Sequence, residues 1–416
     1  MNYKKFNKIL LKTSLLFFAH LTCAMNIPVF YDTLILPEVR TDERFQFYAI
    51  LQTGFSTKSF DECECCANVL RIWNKDQNAI KMLEGFCSDT PIGQLRTRIK
   101  ANDDGTRGHF SVCGDLDVDF AGEFGFEYRF RDDFFVSAHL PVFSMKLKNV
   151  FWKDLTKKDV SFDDSRVREY LTNDFIKNVR GLGCLDICGW KRSGVGDLLL
   201  LAGWRRDFEQ SKKMLKNVRL GARVGLTLPT GKKADEDKIF AFSYGNDGAV
   251  GTLVGGSLDL TFGQYVKAGL DVQLLHVFGN TKCRRIKTHF CQTDLLLLKK
   301  VDVYKEYGLT QRFNLYIQFY RFVRGLSCKL GYQFRRRSED MLYICSNEFS
   351  NRVANTAGNL QEWTMHNLVV NLSYDFWNED DDRSVYPYIS AFVKIPFNGM
   401  NTAMARTVGF TFAIDF

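Results

Sequence analysis

Three groups of residues have types and spacing that could do chemistry. His109-Phe-Ser111 puts an imidazole and a hydroxyl two residues apart, hence on one face of an extended strand, where they could act as base and nucleophile. No matching motif flanks the triplet, and the chain has no phosphate loop, dinucleotide fingerprint or HExxH. The second group, Cys63-Glu-Cys-Cys66, gathers sulfur ligands but lacks the partner histidine that would complete a tetrahedral metal site. Neither a catalytic residue, nor a metal, nor a cofactor is therefore expected. The third group is made of charges that share one face of alternating segments: Glu123, Glu127 and Arg129, then Arg219 and Arg223, Lys267 and Asp271, Lys329 and Arg335. Charges spaced in this way are suited to lining a polar interior.

The segments that carry these charges read as strands. Phe124, Phe126, Tyr128 and Phe130 alternate with Glu123, Gly125, Glu127 and Arg129. Val218, Leu220, Ala222, Val224 and Leu226 alternate with Arg219, Gly221, Arg223, Gly225 and Thr227. The same rhythm sets Val266, Ala268, Leu270 and Val272 against Lys267, Gly269 and Asp271, and Leu330, Tyr332 and Phe334 against Lys329, Gly331, Gln333 and Arg335. At the C-terminus Val408, Phe410, Phe412, Ile414 and Phe416 oppose Thr407, Gly409, Thr411, Ala413 and Asp415. A strand with an apolar, aromatic-ended outer face and a small or polar inner face suits a lipid-embedded barrel wall.

Composition points the same way. The 37 Phe exceed what a soluble core usually needs, and past the N-terminus no apolar run approaches the ~18 residues of a spanning helix. Only helices and closed barrels satisfy their backbone hydrogen bonds inside lipid. The expected fold is all-β: a transmembrane antiparallel β-barrel with short helices in its long loops. Strands are expected near 44–57, 108–119, 121–130, 134–147, 194–207, 217–229, 249–262, 264–278, 301–312, 314–323, 325–337, 363–376, 384–396 and 404–416, which makes fourteen. The number falls to twelve if 44–57 belongs to a plug and one middle segment is no wall strand. A helix is expected over 163–181, with Val167, Tyr170, Leu171, Ile176 and Val179 roughly on one face and Gly181 at its end.

The ends supply an address. Lys4, Lys5 and Lys8, the apolar run Ile9–Leu21 and the small residues of Thr22-Cys-Ala24 read as a signal peptide over 1–24. Phe416 resembles the C-terminal assembly signal of bacterial outer-membrane barrels. The expected partners are therefore outer-membrane lipid and the barrel-assembly machinery. A net charge of +8, with no basic cluster interleaved with aromatics, argues against nucleic acid. The chain divides into 1–24, an N-terminal segment 25–107 with the first strand and a Cys-rich plug or loop, and a barrel over 108–416. Residues 25–43 or 58–107 are expected to narrow the lumen.

Of the 12 cysteines, one lies in the signal peptide. Exported chains meet oxidising conditions, so at least one intraloop disulfide is expected, Cys184 with Cys188 or Cys283 with Cys291. The odd remainder implies a free thiol or a disulfide-linked oligomer.

Gly194-Val-Gly-Asp197 opens one strand, and Leu228-Pro-Thr-Gly231 ends the next. This pair resembles the outer-membrane family named for the meta-pathway of phenol degradation, which is similar in turn to FadL-type transporters. The resemblance implies passive passage of small, often hydrophobic molecules across the outer membrane. A structural or adhesive disulfide-linked envelope protein is the competing expectation.

Overall fold

The structure, a computed structural model, describes residues 31–38, 43–130, 133–158, 161–323, 325–376 and 385–416. The expected signal peptide lies outside them. Fourteen strands share the main sheet; twelve of them close on themselves, and two short strands extend it. We number the wall strands β1 (Phe45–Ser56), β2 (His109–Arg129), β3 (Phe134–Asp154), β4 (Leu198–Glu209), β5 (Leu215–Leu228), β6 (Gly251–Phe262), β7 (Val266–Val277), β8 (Thr310–Val323), β9 (Leu326–Arg337), β10 (Trp363–Asp375), β11 (Tyr386–Met400) and β12 (Arg406–Asp415). Each pairs antiparallel with its sequence neighbours, and β1 closes the ring against β12, with Ala49 opposite Phe412.

Polarity is inverted relative to a soluble domain. Phe410 and Val224 are 67% and 52% exposed, while Asp271 and Asn314 are 2% and 0% exposed. An apolar outside around a polar inside is stable only with lipid around it. Five short turns and the C-terminus lie at one end, and six connections, most of them long, lie at the other. Short turns mark the periplasmic end of such barrels, so the long loops face outward from the cell.

The wall has twelve strands, the lower of the two numbers expected, and both departures from fourteen have physical causes. The segments 108–119 and 121–130 form the single strand β2, since register shifts at Cys113/Asp115 and Val118/Phe120 are bulges that bend a strand without ending it. The segment near 301–312 gives Lys299–Glu306, which pairs outside the wall with Asn280–Ile286 and Met341–Ile344. Its alternating Val301 and Val303 pack against Ile286, Leu342 and Leu360, so its pattern reports an ordinary half-buried sheet. The segment near 44–57 is a wall strand and no part of a plug.

Above the outer rim, residues 58–107 fold over the mouth. Leu70, Ile80, Met82, Leu83 and Ile99 are fully buried against Val112 and Leu116 of β2 and against the neighbouring loops. The helix expected over 163–181 is Phe162–Val167, a π turn over Arg168–Thr172, and Phe175–Gly183. Val167, Leu171 and Val179 of the expected face are buried and Tyr170 partly so, but Ile176 is exposed, because the π turn breaks the helical period between them. The helix ends later than Gly181, because Cys184 adopts the left-handed conformation and its N–H bonds to the Arg180 carbonyl.

Candidate functional site

Alternation aims the charged residues of the wall inward, where they meet one another. Glu123 accepts from the Tyr48 hydroxyl at 2.8 Å and lies 3.3 Å from His139 Nδ1. Glu127 bridges Arg129 at 3.0 Å and Arg205 at 3.3 Å. Arg219 binds Asp207 at 2.9 Å, and Arg223 grips Asp271 through two bonds of 2.7 and 2.9 Å. Lys267 meets Glu38 at 2.5 Å. Lys329 lies over the Tyr316 ring, 5.1 Å from its centroid, and Arg335 over Trp363 at 5.3 Å.

The lumen is occupied by the chain itself. Residues 31–38 run from its middle towards the periplasmic end, and wall side chains hold many of the polar groups they carry. Arg312 and Gln333 take the Tyr31 carbonyl and the Asp32 carboxylate at 2.8 and 3.0 Å, and Lys394 pairs with Asp32. The Tyr31 N–H donates to Glu123 at 3.0 Å, and the Thr33 hydroxyl to Asp271 at 3.1 Å. Thr411 donates to the Ile35 carbonyl at 3.0 Å, while Glu38 accepts from Lys267 and Tyr320. Leu34 is fully buried over Gly331, where a Cβ would stand 2.9 Å from its methyl carbons. The segment is too short for any periodicity, so its location was legible only as one of two stretches able to narrow the lumen. The other, 58–107, lies above the mouth.

Between this plug and the cap is a cavity of about 350 Å³ lined by Trp73, Phe240, Arg284, Tyr307, Arg335 and Trp363. Its acids are paired. Asp247 holds Arg284 and, at 3.0 Å, Lys282; Asp340 holds Lys305 at 2.7 Å and Arg337 at 2.9 Å. Burial alone would raise both carboxyls, but these neighbouring cations outweigh it and hold them below the usual carboxylate range.

The two motifs behind the family resemblance form one joint at the outer rim. The Asp197 carboxylate accepts the Gly231 N–H at 2.9 Å and the Asn246 N–H at 2.5 Å. The Thr230 hydroxyl donates to the Gly196 carbonyl and accepts from the Leu198 N–H, each at 2.9 Å. Gly196 must lack a side chain, since a Cβ would lie 2.6 Å from Pro141 and from the Tyr244 carbonyl.

The remaining residues do not gather into a reactive site. His109 is bound to Asp103 at 2.9 Å, and Ser111 to Arg71, so the two are drawn to separate partners. The eleven described cysteines are free thiols, and the expected Cys184–Cys188 and Cys283–Cys291 bonds are not formed. Cys184 is fixed as a helix cap and Cys188 by its N–H bond to Asp186, whereas Cys283 sits on a strand and Cys291 on a separate exposed loop. Among the described residues, no group of three or more ligating side chains is placed to hold a metal ion. Phe416 stacks on Phe45 and Phe47 at the periplasmic rim, with centroids 5.5 and 5.8 Å apart.

No family model and no curated protein matches the sequence. Among solved structures, the COG4313 outer membrane channel from Pseudomonas putida F1 is similar at a TM-score of 0.52 and 12% identity, over 94% of this chain and 100% of that one. A Pseudomonas aeruginosa FadL homologue aligns more loosely, at a TM-score of 0.31 and 8% identity over 90% of each chain. The Ralstonia pickettii toluene transporter TbuX does so at 0.30 and 12% identity, over 90% of this chain and 89% of that one. On its closed wall, its lipid-facing exterior and this likeness of fold, the chain is an outer-membrane β-barrel.

Proposed function

We propose that the chain is an outer-membrane channel for passive passage of small molecules, hydrophobic ones included, held closed by its own residues 31–38. The observation that carries this reading is the way the lumen is filled. A wall of eight strands can be filled by side chains alone, and a wider one leaves room for a passage. Here the extra space holds a separate chain segment, attached by hydrogen bonds and ion pairs that can be broken without unfolding the wall. The likeness to a known outer-membrane channel supports the same reading.

The organisation that fits it is an export signal over 1–24, a plug within 25–43, a wall beginning at Phe45, and a cap over 58–107 that screens the mouth. Phe416 serves the assembly machinery, and the protein carries out no catalysis. The inward charges from Glu123 to Arg335 line the passage and hold its plug.

The test is uptake of the apolar dye N-phenylnaphthylamine by cells whose outer membrane carries the protein, beside swelling of protein-containing liposomes in small sugars. Acceleration of either over cells or liposomes lacking the protein is expected. Acceleration of neither, in the wild type and in a variant without residues 31–38, contradicts the proposal.

A further inference from the structure

The register of β8 and β9 sets Arg312 directly opposite Arg335. Like charges facing each other across a strand pair repel, so each needs an answering group. Arg312 has the Gln273 side chain and the Tyr31 carbonyl among its partners. Arg335 is only 7% exposed, yet it has no hydrogen bond and no carboxylate in ion-pair contact among the described residues, and the Trp363 ring lies against it. A guanidinium taken out of water with no anion opposite it is costly, and it persists where an anion completes the site.

That anion would come from the cavity above the plug, which Arg335 lines. Each of the other lining cations is in an ion pair, Arg284 with Asp247, Lys238 with Asp235, Arg285 with Asp237, and Lys305 and Arg337 sharing Asp340. Arg335 is the lining cation without one among the described residues. Around it the walls are aromatic, with Trp73, Phe240 and Trp363.

We infer that this cavity binds a compact organic monoanion, a carboxylate carried on an aromatic or short aliphatic body. The carboxylate meets the planar fork of Arg335 in a two-bond arrangement, and the body packs against the aromatic wall. The volume of about 350 Å³ is at the small end of ligand sites, which selects a compact body. The inference names a solute class for the channel proposed above and rests on that reading only for the ligand's onward passage.

The test is titration of the refolded mature protein in detergent with benzoate and with benzamide, its neutral counterpart of the same shape, followed by calorimetry. Benzoate should bind at least about tenfold more tightly, as a charge-assisted pair supplies. Arg335→Met should remove that preference, and Arg335→Lys should keep part of it as a point charge without the fork. The heat-dependent shift in gel mobility confirms that each variant is folded. Equal binding of the two probes, binding of neither, or an undiminished preference in Arg335→Met overturns the inference. Apolar flux without benzoate preference leaves the channel reading standing and removes this site; benzoate preference without any flux does the reverse.

Discussion

Adding one methyl group under the plug tests whether residues 31–38 are a gate. Gly331 faces inward on β9, and its absent side chain is the space into which Leu34 fits. In Gly331→Ala the new Cβ would stand 2.9 Å from both Leu34 methyl carbons, closer than such atoms approach, so the leucine or the segment must move. Overpacking of this kind costs about 1–3 kcal/mol. If that cost falls on the closed state, the open fraction rises roughly 5- to 150-fold, at about 1.4 kcal/mol per factor of ten. Leu34→Ala removes a fully buried side chain and weakens the closed state by about 2–5 kcal/mol. The double variant gives the decisive comparison. In the Leu34→Ala background the added methyl group has room, so Gly331→Ala should then change little, a coupling of about 0.5–3 kcal/mol. The open fraction in planar bilayers reads all four proteins. Additive effects, or a Gly331→Ala barrel as closed as the wild type, would refute the fit of Leu34 over Gly331 as a determinant of closure.

Asp271→Asn leaves Arg223 buried with no carboxylate and should destabilise the barrel by about 3–5 kcal/mol, read as a lower urea midpoint in lipid vesicles; an unchanged midpoint contradicts the pairing. Removing Phe416 exposes the Phe45 and Phe47 rings and should lower the yield of heat-modifiable barrel in the outer membrane, without affecting synthesis. The outer loops 229–250, 278–309 and 338–362 should loosen in acid. Asp247 and Asp340 have folded pKa values below their unfolded ones, so their contribution is complete above the unfolded value of about 4 and is lost as pH falls through the folded values. Proteolysis of these loops by an acid-active protease should therefore begin only below about pH 4, and cleavage that is equally fast at pH 6 contradicts this. Cys184 and Cys283, exposed as free thiols, should be alkylated without prior reduction; labelling only after reduction would restore the expected loop disulfides.

Much of the wall was legible because lipid on one side and a polar lumen on the other force a strict two-residue period. Arg219, Arg223, Lys267 and Asp271 could be placed on the inner face from that period alone. The errors came where the period has another cause. Val301 and Val303 alternate because a small sheet over the mouth buries one face, and the break near Phe120 is a bulge inside one long strand. Which acid meets which base was not legible, since Arg223 reaches Asp271 across the intervening strand β6, and Lys267 meets Glu38 only because the plug lies in the lumen. The plug left almost no signal, because eight residues without regular structure are fixed by the wall rather than by their own pattern. The unpaired state of Arg335 depends on what fails to reach it, which only the folded lumen reveals.

Closure by residues 31–38 is the central claim, and single-channel conductance tests it most directly. Refolded wild-type protein and a variant lacking only residues 31–38 would be recorded side by side in planar bilayers. The wild type should be closed for nearly all of the recording, and the shortened chain, with its twelve-stranded wall intact by gel mobility, should show stable open steps. A shortened barrel as silent as the wild type, or a wild type already open at the same conductance, would contradict the account.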